Sequence, residues 1–209
     1  MPRVKRAKDK WREKKWIIVE APPSFGSAPV AYIPITDPSK AVGRMVETTL
    51  YDLLKQDPQH HVIKLKFQIT EIVGDRAKTI LNTLEYSREF LRSLVRRRSS
   101  MVDYIQDYVT KDGIKVRFQV VAFTQTRINS SRKHAIRMAA HRVLTEKTQK
   151  LTYDQLAQEI VLQKLGSDIY NEAKKVTHLR HLGIKKFKLI KKLVPTPPPE
   201  EELPAVTPS

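Results

Sequence analysis

One run of residues in the sequence is suited to binding phosphate groups. Three consecutive arginines, Arg96, Arg97 and Arg98, are followed by Ser99 and Ser100. Guanidinium groups donate paired hydrogen bonds to phosphate oxygens, and the two hydroxyl groups are further donors. The same run could instead place cations at the carboxyl end of a helix, where they interact with the helix dipole. Of these interpretations we favour phosphate binding.

A second candidate lies on a helix predicted from Ser131 to about Lys147. At about 100° per residue, one face of this helix is apolar and a different face is basic. Cations held in place by a packed helix can contact backbone phosphates, and we prefer this interpretation to a merely solvated face. The apolar face contains Ile136, Ala139, Ala140 and Val143; the basic residues on and before the helix are Arg127, Arg132, Lys133, His134, Arg137 and His141.

The positive charge is concentrated in three segments. The 209 residues include 39 Lys and Arg against 22 Asp and Glu, a formal charge of +17. Residues 1–15, 127–150 and 174–192 carry net charges of +6, +6 and +8, so the rest of the chain is close to neutral. Because a solvated surface normally mixes both signs, we infer a binding protein. Nucleic acid is the first candidate partner and an anionic membrane surface the second.

Signatures of catalysis and of metal binding are missing from the sequence. The chain has no cysteine, which excludes disulfide scaffolds, Cys-type zinc fingers, iron–sulfur sites and thiol nucleophiles. It also lacks the glycine-rich phosphate loops and the short motifs of metalloproteases and serine hydrolases. His134 with His141, and His178 with His181, have spacings that a metal could use, but neither pair has a nearby carboxylate cluster. We therefore expect neither an enzyme nor a cofactor.

The hydropathy pattern indicates a protein inside the cell. No apolar run approaches the roughly 20 residues needed to span a bilayer, and the basic N-terminus lacks the apolar segment of a signal peptide. The stretch from Ile184 to Leu193 fits either a basic strand or an amphipathic helix on a membrane surface. Its Lys185 and Lys186 are further candidate phosphate contacts.

Most of the predicted strands come before the predicted helices. Residues 63–70 alternate between apolar and polar types, as a half-buried strand does, and Gly74-Asp75 marks a turn into a returning strand. Asp112-Gly113 between two β-rich runs is a strong hairpin signal. The strands are expected over residues 15–20, 63–70, 77–86, 101–109 and 114–124, and the helices over 88–95, 131–147, 152–165 and 167–176. Thr152 with Gln155 fits a capping box at the start of the third helix.

Two segments are less regular. Residues 21–40 contain five prolines and are expected to form an irregular connection. Residues 43–55 fit a strand and a helix about equally well. Trp16 fits the core, and it also fits a basic arm in which Trp11 and Trp16 stack on unpaired bases.

This order of elements indicates an α+β fold. We expect an antiparallel β-sheet or barrel, built from the N-terminal two-thirds of the chain and packed with the C-terminal helices. The expected organisation is a basic arm over residues 1–14, a single α+β domain over 15–194 and a Pro/Glu-rich tail over 195–209. Six prolines in the tail prevent helix and sheet formation, so we expect it to be disordered or polyproline-like.

Several of these segments together resemble one protein family. They are KKWIIVEAP (14–22), GRMVETTLYDL (43–53), SREFLRSLVRRRSS (87–100), TKDGIKVR (110–117), VAFTQTRINSSRKHAIR (121–137) and IYNEAKKV (169–176). In this order they resemble the S3Ae, or eS1, family of ribosomal proteins from archaeal and eukaryotic small subunits. The chain lacks the longer C-terminal extension of eukaryotic members, so the resemblance is to the archaeal type.

The resemblance implies a cytoplasmic, non-enzymatic component of the ribosome. It places such a protein on the platform of the small subunit, near the 3′ end of the rRNA and the mRNA exit, where it supports initiation. The implied partners are small-subunit rRNA, neighbouring ribosomal proteins and mRNA near its exit, with neither a membrane nor a homo-oligomer expected. Arg96, Arg97, Arg98 and residues 127–137 are the implied rRNA contacts. The alternatives are a free RNA-binding or RNA-processing factor and a peripheral membrane protein.

Overall fold

The computed structural model describes residues 11–12, 14–55 and 57–192. Most of the predicted basic arm (1–14) and all of the predicted tail (195–209) therefore lie outside the described residues. Eight strands and five α-helices occur in the described part. The strands are β1 (Lys15–Glu20), β2 (Pro29–Ile35), β3 (Met45–Thr49), β4 (Ile63–Val73), β5 (Arg76–Tyr86), β6 (Met101–Val109), β7 (Ile114–Thr124) and β8 (Leu179–Lys192). The helices are α1 (Leu50–Leu54), α2 (Arg88–Leu94), α3 (Ser130–Lys150), α4 (Tyr153–Val161) and α5 (Lys164–Lys174).

All eight strands belong to one mostly antiparallel sheet with β5 at its centre. Along one edge, β5 pairs with β4, which in turn pairs with β3. Along its other edge, β5 pairs with β1 in parallel at its start and with β8 in antiparallel near its end. β2 extends the sheet beyond β1, and β7 and then β6 extend it beyond β8. The α+β prediction is confirmed, and of the two alternatives the sheet is open rather than closed into a barrel.

The last strand lies in the middle of the sheet. β8 follows all five helices in the chain, and it pairs with β7 along most of its length. Residues 184–192 are thus a basic strand and not an amphipathic helix. The N-terminal two-thirds of the chain supply seven of the eight described strands, and β8 adds one strand from the C-terminal third. The sequence did not indicate this addition, because the pattern of β8 was compatible with either structure.

The main core lies between the sheet and helices α3 to α5. Phe187 of β8 is fully buried, and its ring lies 5.1 Å from that of Phe118 and 5.8 Å from that of Tyr153 between centroids. The Tyr153 hydroxyl donates a hydrogen bond to the carbonyl oxygen of Leu81, so this buried polar group is satisfied. A smaller cluster lies below the β1–β2 hairpin and contains Ile17, Val19, Ile35, Ala41, Ile69 and Ala77.

Several predicted boundaries are confirmed. Gly113 has a φ of 72° in the β6–β7 turn, as the Asp-Gly signal required. Helix α4 begins with the predicted capping box between Thr152 and Gln155. The ambiguous segment 43–55 contains both alternatives in succession, since β3 runs directly into α1.

Two predictions about local structure are wrong. Residues 21–40 contain a strand, β2, despite its prolines; β2 pairs only with β1, and an edge strand tolerates residues that lack an N–H group. The third C-terminal helix begins at Lys164 rather than at Ser167. It is separated from α4 by Gln163, whose φ of 57° is left-handed and ends the preceding helix. The Ser167 hydroxyl instead donates to the carbonyl of Gln163 within the new helix.

Replacement of Phe187 tests how much the fold depends on β8. We expect Phe187→Ala to lower the free energy of unfolding by about 3–5 kcal/mol, because it leaves a cavity in the centre of the core. The matched control on the same strand is Lys188→Ala, whose side chain is exposed and should change the value by less than about 0.5 kcal/mol. Equilibrium denaturation in urea measures both; equal effects of the two variants would contradict the central position of Phe187.

Candidate nucleic-acid interface

Arg96, Arg97 and Arg98 lie on a tight turn between α2 and β6. The backbone N–H and the hydroxyl of Ser99 both donate to the carbonyl oxygen of Arg96, at 3.4 and 2.6 Å. Arg98 has a φ of 60°, the left-handed conformation that lets the chain reverse within these residues. All three arginine side chains are exposed. The Ser99 hydroxyl proton is used within the turn, so this residue shapes the loop that presents the arginines.

A buried pair of hydroxyl residues joins this turn to the segment before α3. Ser100 donates its N–H to the hydroxyl of Thr124 at 2.9 Å, and its carbonyl accepts from the N–H of Thr124 at 3.0 Å. The hydroxyl of Ser100 accepts from the N–H of Ile128 at 3.2 Å. Thr124 is completely buried, and its hydroxyl also donates to the carbonyl of Thr126 at 2.6 Å. These contacts hold the arginine turn beside residues 125–128.

The segment before α3 and the first turn of that helix supply more cations. Arg127 is exposed one residue before Ile128, and Arg132 and His134 are exposed in the first turns of α3. Lys133 is half-buried. Two separate parts of the sequence therefore meet at one end of the molecule. We call the set Arg96, Arg97, Arg98, Arg127 and Arg132 the arginine end.

The basic stripe predicted along α3 divides into two parts. Arg137 is half-buried and donates from Nε to the carbonyl oxygen of Asp103 on the edge strand β6, at 3.1 Å. Nδ1 of His141 lies 2.9 and 3.0 Å from the hydroxyl groups of Tyr104 and Tyr108. These two residues thus connect the helix to the sheet, whereas Arg132 and His134 remain directed to solvent. The helix's buried residues are Ile136, Ala140, Leu144 and Thr148.

Several cations on the sheet face opposite the helices are paired with carboxylates. Nζ of Lys186 lies 3.0 Å from Glu85, and Nζ of Lys66 lies 2.9 Å from the same carboxylate. Lys64 pairs with Glu47 at 3.1 Å. Lys185 is the half-buried neighbour of Lys186 at a bulge in β8, and it has no ion pair among the described residues. We call the set Glu47, Lys64, Lys66, Glu85, Asp107, Arg117 and Lys186 the ion-paired sheet face.

Glu85 is the centre of this network. Burial by itself would raise the pKa of the Glu85 carboxyl group, but the hydrogen bonds from Lys66 and Lys186 outweigh burial and lower its pKa. On the same face, the hydrogen bond from Arg117 lowers the pKa of Asp107. The carboxylates are therefore ionised at neutral pH, and they offset part of the positive charge that surrounds them.

The arginine end differs from this face in its charge balance. Within the described ranges, no carboxylate lies within ion-pair distance of Arg96, Arg97, Arg98, Arg127 or Arg132. Such cations keep their full charge for an external anion, so this end is the stronger candidate for phosphate contact. Lys186, in contrast, lies on the ion-paired sheet face, where it is paired with Glu85.

Three further exposed basic residues lie near this end and were not among the phosphate contacts predicted from the sequence. Arg92 lies in the last turn of α2, just before the arginine turn. His178 accepts a backbone hydrogen bond from Gln125 at 3.2 Å, which brings it and the neighbouring Arg180 to the same end. The net charge of residues 174–192 indicated this segment, but only the antiparallel pairing of β8 with β7 shows which of its residues reach the arginine end.

The described residues offer little for other chemistry. They contain no group of three or more His, Cys, Asp or Glu side chains able to hold a metal ion. No helix among them is long and apolar enough to cross a membrane. Trp16 does not belong to the core, since 60% of its surface is exposed.

Comparison with known proteins identifies the family. The model of the ribosomal S3Ae family matches residues 3–193. The chain belongs to this family. Membership confirms the resemblance found in the sequence, and because this is a family of structural ribosomal proteins it also confirms that the protein is not an enzyme.

Similar proteins from archaea match nearly the whole chain. The small ribosomal subunit protein eS1 of Desulfurococcus amylolyticus is 44% identical over 190 residues, which is 91% of this chain and 88% of the relative. The protein of the same name from Archaeoglobus fulgidus is 42% identical over 189 residues, 90% of each chain. That of Sulfurisphaera tokodaii is 41% identical over 184 residues, 88% of this chain and 95% of the relative.

Removal of the Thr124 hydroxyl tests the connection between the two arginine segments. Thr124→Val keeps the shape of the side chain but leaves the buried N–H of Ser100 without an acceptor, which costs about 1–3 kcal/mol. We expect lower stability and faster hydrogen exchange of the Ser100 amide. Thr126→Val, at an exposed position, is the control. Unchanged exchange at Ser100 would show that the hydroxyl does not hold the turn.

The lowered pKa of Glu85 gives the ion-paired sheet face a defined pH dependence. The pKa of the Glu85 carboxyl group is lower in the folded protein than its ordinary value of 4.5 in the unfolded chain. Ionised Glu85 therefore stabilises the fold fully at pH values above 4.5, and this stabilisation is lost as the pH falls through the lower pKa of the folded state. We expect Glu85→Gln to be less stable than the wild type by about 1 kcal/mol at pH 7. The difference should shrink below pH 4.5.

The control is Glu71→Gln, which removes an exposed pair with Lys78 at 3.6 Å and should have a negligible effect. Thermal unfolding at pH 7 and pH 3 measures the stability of the wild type, Glu85→Gln and Glu71→Gln. A stability difference for Glu85→Gln that is the same at both pH values would show that the ion pairs are not its cause.

Proposed function

We propose that the protein is a structural constituent of the small ribosomal subunit that binds rRNA through its arginine end. The observation that supports this most directly is the set of exposed arginines on two loops that buried hydrogen bonds hold side by side. The relatives named as small ribosomal subunit proteins, which match about nine-tenths of this chain, support the same function. RNA is the polyanion that such a subunit contains in greatest amount.

The arginines act through the phosphate backbone. Each guanidinium group that meets a phosphate releases condensed counterions, and this release supplies the affinity. Arginine also presents its donors as a rigid fork that matches two phosphate oxygens. Because the two loops are held in place, the cations have fixed positions and recognise the shape of a folded RNA rather than its sequence.

The further candidate contacts have different parts in this proposal. Arg127, Arg132 and His134 extend the phosphate-binding surface along the start of α3. Lys133 lies beside them. Arg137 orients the helix against β6 while one side of its guanidinium group can still meet RNA. Lys185 and Lys186 lie in β8, and Lys186 must leave Glu85 before it can bind a phosphate.

The family resemblance supports a more specific placement. We propose that the protein lies on the platform of the small subunit, near the 3′ end of the rRNA and the exit of the mRNA, and that it supports initiation there. Neighbouring ribosomal proteins are then its further partners, and the cytoplasm is its location. The single domain over residues 15–194 is part of the same proposal.

Neutralisation of the arginine turn tests the proposed rRNA contact. The variant carries Arg96→Gln, Arg97→Gln and Arg98→Gln. The control carries Lys40→Gln, Lys78→Gln and Arg117→Gln, which remove the same charge from three exposed residues that are paired with carboxylates. Binding to small-subunit rRNA is measured by fluorescence anisotropy over a range of salt concentrations.

We expect the arginine variant to bind at least about tenfold more weakly, and the slope of log affinity against log salt to fall by roughly 2, since each lost phosphate contact removes about 0.7–0.9 from the slope. The control should keep most of the affinity and slope. Equal losses in the two triple variants would contradict a specific role of the arginine turn and leave only a general effect of net charge.

A further inference from the structure

Two large aromatic side chains are exposed next to each other on the β1–β2 hairpin. Trp16 is 60% exposed and Tyr32 is 64% exposed. Trp16 lies opposite Pro34 in the antiparallel register, and Ile18 lies opposite Tyr32. Trp16 and Tyr32 are therefore diagonal neighbours on one face of the hairpin, a separation within reach of aromatic side chains.

The hairpin is apolar on both faces, which is unusual for an edge of a sheet. Its inner face buries Ile17, Val19 and Ile35 against the smaller core cluster. Its outer face presents Trp16, Ile18, Tyr32 and Pro34, none of which is fully buried. The inner face already accounts for the folding of the hairpin. Because exposed apolar patches of this kind mark interaction sites, the outer face needs a different explanation.

The charges around this face are positive. Lys15 is exposed immediately before Trp16, and Nζ of Lys14 lies 4.0 Å from the centroid of the Trp11 ring. Residues 1–15, which lead directly into β1, contain eight basic and two acidic residues. At the other end of the face, the carboxylate of Glu20 is paired with Arg76 at 2.9 Å. Aromatic rings beside a strongly basic segment favour a polyanionic partner that has flat apolar groups.

We propose that the outer face of the β1–β2 hairpin binds single-stranded RNA, with unpaired bases stacked on Trp16 and Tyr32 and the adjacent basic residues contacting the phosphates. Unpaired bases present π-faces to aromatic side chains, whereas the bases of a duplex do not. A site of this kind has little sequence preference. It is separate from the arginine end, although it rests on the proposal that the protein works on RNA.

Tryptophan fluorescence tests this site directly. The protein has two tryptophans, so Trp11→Phe leaves Trp16 as the single reporter in the full-length chain. The probes are a 12-nucleotide oligoadenylate and an RNA duplex of the same length, both with a fluorescent label for an independent measurement of binding by anisotropy. We expect the oligoadenylate to quench the emission of Trp16 and the duplex to leave it nearly unchanged.

The matching variants separate stacking from charge. We expect Trp16→Leu to weaken oligoadenylate binding about tenfold without changing its salt dependence, because the variant loses a stacked base but keeps its phosphate contacts. Trp16→Phe should recover part of the affinity. Ile105→Leu is the control, since Ile105 is exposed to a similar degree on the distant edge strand β6.

Three results would overturn the proposal. The first is unchanged emission of Trp16 when anisotropy shows that the oligoadenylate is bound. The second is wild-type binding by Trp16→Leu together with poor incorporation into small subunits, which would show that the face holds a neighbouring protein. The third is a complete lack of RNA binding by the wild type, which would also refute the proposed function. If only the arginine variant lost rRNA binding and Trp16→Leu bound oligoadenylate normally, the proposed rRNA-binding function would stand and the hairpin site would be refuted.

Discussion

The structure depends on the insertion of the last strand, β8, between β5 and β7. In the described ladder, β6 and β7 are connected to the other strands only through β8. β8 pairs with β5 over just Thr83–Glu85, while its pairing with β7 extends from Ile114 to Thr124. The short pairing between β5 and β8 is stabilised on both faces of the sheet. The buried ring of Phe187 packs on the core side, and Lys186 pairs with Glu85 on the opposite side. The sheet is therefore completed only after β8, at residues 179–192, has been synthesised.

The same insertion separates two kinds of positive charge. In the middle of β8, Lys186 is paired with Glu85 of β5, so the positive charge of Lys186 is offset within the protein. Where β8 begins, β7 ends and α3 starts, the strands meet loops whose arginines have no carboxylate partner in the described part of the chain. Buried hydroxyl groups, rather than ion pairs, fix the position of these loops. The protein thus uses carboxylates where positive charge serves its own stability and leaves arginines unpaired where an external polyanion can bind.

Much of the fold follows from local patterns, and much of the site does not. Alternation over residues 63–70 and the Asp-Gly turn predicted two hairpins, and Thr152 with Gln155 predicted the start of α4, because such signals act between residues a few positions apart. Pairing between distant residues determines the remaining features, which are the order of the strands in the open sheet, the strand within residues 21–40 and the place of β8. The same limit applies to the site. The run Arg96–Arg98 was visible as a motif, but the partners of Arg137 and Lys186, at Asp103 and Glu85, became known only from tertiary structure.

An electron cryo-microscopy map of the small subunit that contains this protein would test the central claim most directly. The quantity to measure is the distance from each exposed basic side chain to the nearest rRNA phosphate. We expect Arg96, Arg97, Arg98, Arg127 and Arg132 to lie within hydrogen-bond distance of phosphates, and the ion pairs of Glu85 with Lys66 and Lys186 to remain intact. A map in which the arginine end faces solvent while the ion-paired sheet face contacts the rRNA would contradict the proposal.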